Sequence, residues 1–197
     1  SELARRGVDI ILNPSASHFA FGKQEVRRRF VAEGSRAFGC SYIYANLLGN
    51  ESGRVIYDGG AMIATQGRIV AQGPRLSFAD RKITSAVLDI EATRMNQSRT
   101  ASFKPDLVED PTECVERPFK FPEIQPEAFV DAACPWESSK DLKEEEFSRA
   151  VALGLYDYMR KSRSHGFVVS LSGGADSAAI SCLVHLAARF GCDELGW

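Results

Sequence analysis

The sequence predicts an α/β protein in two parts: a mixed α/β sandwich, then the opening of a doubly wound parallel sheet. Three observations carry this prediction. A strand, a helix, a second strand and a meander of short strands succeed one another over residues 1–92. Pro105, Pro111, Pro118, Pro122, Pro126 and Pro135 then interrupt the chain every few residues. Beyond them come a helix, a strand, a glycine-rich loop and a second helix, the order that opens a doubly wound sheet.

In the first part, Val8 to Asn13 is a short apolar run between Gly7 and Pro14, which predicts a buried strand. Small and polar residues from Pro14 to Gly22 make a loop. Gln24 to Phe38 reads as a helix, with Val26, Phe30 and Ala37 on its inner face and Gly39 as its stop. Tyr42 to Leu47 is the next strand. Val55 to Tyr57, Ala61 to Ala64 and Arg68 to Ala71 are three short ones, with Asp58-Gly59-Gly60 and Gln66-Gly67 as tight turns. Ala86 to Ile90 closes the part as a sixth strand.

Residues 93–138 read as an extended linker, because proline this dense continues neither helices nor central strands. The last part covers residues 139–197. Asp141-Leu142-Lys143-Glu144 fits a helix start with a capping-box-like pair. Phe147, Ala150, Val151, Gly154, Leu155 and Tyr158 then recur at helical spacing as far as Arg163. His165-Gly166 breaks the helix, and Phe167 to Leu171 is a short buried strand. A helix follows from Asp176 to Phe190, with Ile180, Leu183, Val184 and Ala187 as its buried stripe and Gly191 as its stop.

The formal net charge is −2, which calls for no nucleic-acid or anionic-membrane partner. No apolar run approaches the ~18 residues of a membrane-spanning helix, and no signal-peptide core follows Ser1. The five cysteines, Cys40, Cys114, Cys134, Cys182 and Cys192, are scattered and odd in number, with no C-x-x-C pair. That pattern argues for a reducing cytoplasm, with each thiol a small apolar filler. Both ends look cut, so the chain is expected to be the middle of a longer protein.

The chemistry concentrates in Ser170-Leu171-Ser172-Gly173-Gly174-Ala175-Asp176-Ser177. Two glycines let the backbone approach a ligand closely, and successive N–H groups can form an anion nest. The following helix adds the partial positive charge of its N-terminus. The hydroxyls of Ser172 and Ser177 can donate to phosphate oxygens. Asp176 would repel phosphate unless a divalent cation lay between them, so it is the candidate Mg2+ contact. The bland alternative is a strand-to-helix turn that merely needs glycine and a cap. The Gly-Lys-Ser/Thr ending of a Walker loop is missing.

The string Ser-Gly-Gly-x-Asp-Ser resembles the signature of the N-type ATP pyrophosphatases. That resemblance implies cleavage of ATP between its α and β phosphates, adenylation of a substrate, and displacement of AMP by a nucleophile, often ammonia. Upstream, Gly7 to Phe19 with Gly22-Lys23 and Arg27-Arg28 resembles the later part of a nitrilase-like amidase domain. Tyr57-Asp58-Gly59-Gly60 and Gly67 to Gly73 resemble the terminal hairpins of that domain. Together the two parts look like the glutamine-dependent NAD synthetase family. Another adenylating amidotransferase with the same loop is the nearest rival. A non-catalytic scaffold is the rival from a different class.

The family resemblance implies ATP-dependent amidation of nicotinic acid adenine dinucleotide by ammonia from glutamine, with ATP and Mg2+, in a cytoplasmic homo-oligomer. It implies that residues 170–177 bind ATP, that Ser172 is the catalytic contact to the reacting phosphates and that Asp176 holds Mg2+. Ser17 and Lys23 match the positions that bind glutamine. The Glu-Lys-Cys triad of the glutaminase would lie upstream of Ser1, and Cys40, which follows a helix, is not expected to replace its cysteine. The fragment alone is expected to be inactive. His18 is expected to be a loop residue and Arg27-Arg28-Arg29 a solvated helix face, with an interdomain or oligomer contact as the alternative. His165 and His185 have no role.

Overall fold

A parallel pair of strands organises the first part. Strand β1 (Ile10–Ser15) pairs in parallel with β2 (Ser41–Asn46), Ile11 lying opposite Tyr42. Parallel neighbours need a crossover, and helix α2 (Lys23–Phe38) supplies it. In this computed structural model residues 2–51, 53–99, 104, 115–120, 122, 123, 125 and 134–196 are described. A one-turn helix, α1 (Glu2–Arg5), precedes β1. Pro14 is tolerated inside β1 because the strand lies at the sheet edge.

The sheet continues antiparallel through β5 (Met62–Thr65) and β6 (Arg68–Gln72), giving the order β1-β2-β5-β6. Gln66 and Gly67, both at positive φ, make the two-residue turn between β5 and β6 as expected. A strand not anticipated, β3 (Leu48–Glu51), pairs antiparallel with β4 (Val55–Asp58) as a separate ribbon. Asp58-Gly59-Gly60 therefore joins two sheets and is not a hairpin turn. The expected sixth strand over Ala86–Ile90 is absent. Residues 81–89 are irregular and Ile90 opens helix α3 (Ile90–Arg99). The guanidinium of Arg94 grips Asp9, and Gln97 packs under Gly39, so α3 sits on the first part although its residues read as linker.

Helix α2 buries a different face from the one its large side chains suggest. Gln24, Arg27, Val31, Gly34 and Ser35 face in, while Val26, Phe30 and Ala37 are exposed. The small residues Gly34 and Ser35 allow close approach to the sheet, where a Cβ on Gly34 would meet the Tyr42 ring at 3.3 Å. Val31 joins Ile11, Cys40, Tyr42, Tyr44, Met62 and Ala64 in the first core.

Helix α4 (Leu142–Ser162) and helix α5 (Ala175–Leu195) pack against each other, and α4 also packs on β3 and β4. Leu76 and Phe78 of the first part join Ala150, Ala152, Leu153 and Ala187 in the second core. Gly154 permits this packing, since a Cβ there would meet the Ile56 side chain at 3.1 Å. The inward face of α4 also carries Glu146 and Asp157, whereas Phe147 and Tyr158 are about half exposed. Those two carboxylates are eleven residues apart, three helical turns on one face. Asp141 makes no side-chain cap bond.

Two further expectations are overturned in the last part. Phe167 to Leu171 forms no strand: residues 164–172 are irregular and Val168 is fully exposed. A strand exists only where a neighbour accepts its hydrogen bonds, and none of the described strands borders this run. Gly191 does not stop α5. It is buried inside it against Phe78 and Tyr156, and the helix ends at Gly196 in the left-handed conformation. Ile180 is half exposed, so the buried stripe of α5 centres on Ala187 and Gly191. The prolines 105, 111 and 126 of the linker, Cys114, Ser1 and Trp197 lie outside the described residues.

Candidate functional site

The glycine loop opens α5 directly. Gly174 is the N-cap residue and no side chain caps the helix, so the N–H groups of its first turn lack intrahelical partners. Gly173 has φ +80, a value that L side chains rarely adopt, and nothing lies within 4 Å of where its Cβ would be. The hydroxyls of Ser172 and Ser177 stand 3.3 Å apart across the turn. Ser177 Oγ donates to the Gly174 carbonyl at 3.0 Å, and Gly174 N–H reaches Ser172 Oγ at a long 3.4 Å. Ser170, Leu171, Ser172, Gly173, Gly174, Ala175 and Asp176 are exposed and Ser177 is half-buried. The turn is thus open to an anion, but it stands on an irregular segment and not at a sheet edge.

Asp176 lies on the first turn of α5. No group of three or more His, Cys, Asp or Glu that could hold a metal occurs among the described residues. One exposed carboxylate beside two hydroxyls fits a Mg2+ whose other ligands are phosphate oxygens and water, and does not fit an all-protein cage.

Arg27 links Ser17 and Lys23, sharing the His18 carbonyl with Lys23 and also bonding Ser17. Lys23 Nζ donates to the His18 carbonyl at 2.9 Å, and Arg27 Nη2 donates to the same oxygen and to the Ser17 carbonyl, both at 2.8 Å. Asn46, at the end of β2, clasps Ser17 from the other side. Its Oδ1 accepts from Ser17 N–H at 2.8 Å and its Nδ2 donates to the Ser17 carbonyl at 2.9 Å. Ser17 Oγ accepts from Arg27 Nε at 3.2 Å, which leaves its own proton available. Two of the three Lys23 ammonium protons remain beyond the bond to His18. The loop is therefore fixed in shape and still holds donors for a carboxylate.

Arg27 was expected on a solvated face, yet it is 6% exposed, while Arg28 and Arg29 face water. It is drawn in by Asp58, which is fully buried and accepts from Arg27 Nη1 at 2.7 Å. The other Asp58 oxygen accepts from Arg75 Nε at 3.2 Å. Arg75 continues to Glu146 at 2.8 Å and Glu137 at 3.4 Å. Burial alone would lower the Arg75 pKa, but the Glu146 hydrogen bond and the charges of Asp58, Glu137 and Glu146 raise it. A cleft of about 320 Å³ beside this network is lined by Gln24, Arg28, Gln72, Arg75, Glu137 and Glu146. Both amide atoms of Gln24 are buried without a partner. From sequence, Asn46, Arg27 and Asp58 had no place in the site, although Arg27 and Asp58 lie in the strings that carry the family resemblance. The signal was there in the small residues Gly34 and Ser35, which mark the buried face of α2 and place Arg27 on it.

Cys40 is 1% exposed, and burial pushes its thiol up to about 11, so it carries no thiolate nucleophile at neutral pH. Cys134 is half-buried, whereas Cys182 and Cys192 are exposed and are not core fillers. His18 is an exposed loop residue bridged to Tyr57, and His165 and His185 are exposed. No helix among the described residues is long and apolar enough to cross a membrane.

No protein-family model matches the chain. It is 35% identical over 190 residues to a glutamine-dependent NAD(+) synthetase of Mus musculus, covering 96% of this chain and 26% of that protein. The crystal structure of a glutamine-dependent NAD(+) synthetase from Cytophaga hutchinsonii is similar over 98% of this chain and 25% of that one, at 40% identity and a TM-score of 0.67. The enzyme from Acinetobacter baumannii, solved in complex with ADP, shares the fold at 20% identity and a TM-score of 0.56 over 98% of this chain and 29% of that one. Over nearly all of its length the chain is thus similar to one segment of the glutamine-dependent NAD(+) synthetases, about a quarter of their length.

Proposed function

We propose that this chain is the segment of a glutamine-dependent NAD synthetase that links its glutaminase to its synthetase. Residues 1–92 are the later part of a nitrilase-like glutaminase domain, 93–138 the connection, and 139–197 the start of the ATP-pyrophosphatase domain. In the whole enzyme, glutamine hydrolysis releases ammonia. ATP adenylates the carboxylate of nicotinic acid adenine dinucleotide, pyrophosphate leaves, and ammonia displaces AMP to give NAD. The observation that carries this reading is the open Gly173-Gly174 turn at the uncapped start of a 21-residue helix.

The residues have separable tasks. The first-turn N–H groups of α5 and the dipole behind them receive the phosphates. Ser170 to Ser177 form the ATP loop, and Ser172 and Ser177 donate from either side of the turn. Bound Mg2+ would neutralise phosphate charge, and Asp176 is the residue that would hold it. Ser17 and Lys23 receive the carboxylate of glutamine on the loop clasped by Arg27 and Asn46. The triad that attacks the amide is not among the residues of this chain. The reading includes a cytoplasmic location, in keeping with scattered cysteines that lack a C-x-x-C pair, and a homo-oligomer, which size-exclusion with light scattering tests.

The test is an assay of the full-length enzyme with ATP, glutamine and, in parallel, nicotinic acid adenine dinucleotide, XMP or aspartate. NAD with equimolar AMP and pyrophosphate is the expected product, and Asp176→Ala should abolish it while glutamine is still hydrolysed. Amidation of XMP or aspartate instead would replace this reading with the related amidotransferase one.

A further inference from the structure

The Ser17 loop and helix α4 belong to different parts of the chain, yet one unbroken run of charged hydrogen bonds joins them. Ser17 is held by Arg27, Arg27 by Asp58, Asp58 by Arg75 and Arg75 by Glu146. The side chains of the four charged residues are between 1% and 6% exposed. Asp58 is the branch point, because each of its oxygens serves a different guanidinium. At this burial the arginines depend on their carboxylates, so a change at one end of the run redistributes the pairing in the middle: without Glu146, Arg75 keeps only Asp58 and the longer contact to Glu137.

We propose that Asp58 is a positioning residue for glutamine binding, and that through Arg75 it makes the shape of the Ser17 loop depend on Glu146 of the synthetase part. This rests on the reading of Ser17 and Lys23 as glutamine ligands. Asp58 touches no substrate. It sets where Arg27 lies, and Arg27 in turn sets the carbonyls of Ser17 and His18 and the orientation of the Ser17 hydroxyl. A shift of α4 that draws Glu146 from Arg75 reaches the loop by the same route.

The test uses Asp58→Asn and Glu146→Gln in the full-length enzyme. Asn keeps the size of Asp58 but has a single acceptor oxygen, so it cannot serve both arginines. The expected result for Asp58→Asn is a rise of about tenfold in the KM and dissociation constant for glutamine, with ammonium-driven NAD synthesis held within about twofold. Glu146→Gln, three ion pairs from the loop, should raise the same constants by about threefold, and the double variant should be no worse than Asp58→Asn alone. Glutamine constants within about twofold of the parent in either variant, or multiplicative effects in the double variant, would overturn the proposal. Should Asp58→Asn not fold, Glu146→Gln and Arg75→Lys decide the matter by the same readout. Failure of the functional reading shows separately, as no NAD formed from ammonium. The glutamine dissociation constant, measured by calorimetry, then still decides the role of Asp58.

Discussion

Asp157 of helix α4 accepts the backbone N–H of Asn50 at 2.7 Å, across more than a hundred residues of chain. Its carboxylate also takes Arg160 and Lys161 from its own helix, and Lys161 reaches on to the Asn50 carbonyl. Asp157→Ala would strand a buried N–H and remove the shared partner of two half-exposed cations, which keep Asp80 and the Asn50 carbonyl. A loss of about 3 kcal/mol is expected, the usual consequence of removing one partner of a buried charged group. Urea denaturation of the 197-residue chain measures it, and a loss below about 1 kcal/mol would show that the contact is not formed.

Arg27 and Arg29 of α2 should separate cleanly. Arg27→Ala leaves Asp58 with one buried partner and should cost about 3–5 kcal/mol. Arg29→Ala removes an exposed pair with Glu25 and should change stability by no more than about 0.5 kcal/mol. Equal effects in the same denaturation experiment would mean that Arg27 is solvated after all.

Two glutamates should give the stability of the chain opposite slopes on either side of the ordinary glutamate value of 4.5. Burial pushes Glu137 up, and the charge of Arg75 only partly offsets it. The folded chain therefore holds this proton more tightly than the unfolded one, and stability rises as pH falls from neutral towards 4.5. Burial also pushes Glu194 up, but Lys82, the Phe78 N–H and the Ser77 hydroxyl more than offset it and hold it low. Its contribution is present above 4.5 and is lost as pH falls further, through its lowered value. Glu137→Gln should flatten the upper limb and Glu194→Gln the lower one in a series of melting temperatures against pH.

Gly173 sits at φ +80 in an open turn. Gly173→Ala should weaken binding of ATP or pyrophosphate by the full-length enzyme at least about tenfold, because a side chain there favours a different backbone and re-aims the N–H groups behind it. The melting temperature should stay within about 2 °C, since among the described residues nothing lies within 4 Å of where the Gly173 Cβ would be. Unchanged calorimetric affinity would remove the loop from the nucleotide site.

The cysteines should divide by burial. Under native conditions a thiol reagent should label Cys182 and Cys192 within minutes and leave Cys40 unmodified until the chain unfolds, as peptide mass spectrometry would show. Native labelling of Cys40 would contradict its burial and its raised pKa.

Local patterns made half of this architecture readable. A strand in the run Val8 to Asn13, the Gln66-Gly67 turn and the start of α5 were legible because each is decided within a few residues by sterics and apolar spacing, but the burial expected of that strand was not: at the sheet edge only Ile11 is buried, and Ile10 and Leu12 are exposed. The buried faces were not. Reading α2 by its largest side chains pointed to Val26 and Phe30, yet Arg27 wins the inner position because Asp58, far along the chain, is waiting for it. The same holds for Glu146 and Asp157 on α4, where partners on β3 and beyond β6 override the preference of charge for water. Phe167 to Leu171 failed for the complementary reason: an apolar run becomes a strand only beside another strand. Of the candidate site, the Ser172–Ser177 turn and the neighbours Ser17 and Lys23 were visible as strings, but Asn46, Arg27 and Asp58, which hold the loop, come together only in three dimensions.

The spacing of Glu146 and Asp157 limits how the two parts can move. Each carboxylate is seated on a separate point of the first part, and three turns of rigid helix fix the distance between them. Sliding α4 by one turn, about 5.4 Å, would unseat both at once and leave their partners bare. A rocking motion that pivots on one carboxylate while loosening the other breaks only half as much. Any rearrangement between the halves therefore favours a hinge over a shear, with its axis through whichever of the two anchors stays closed.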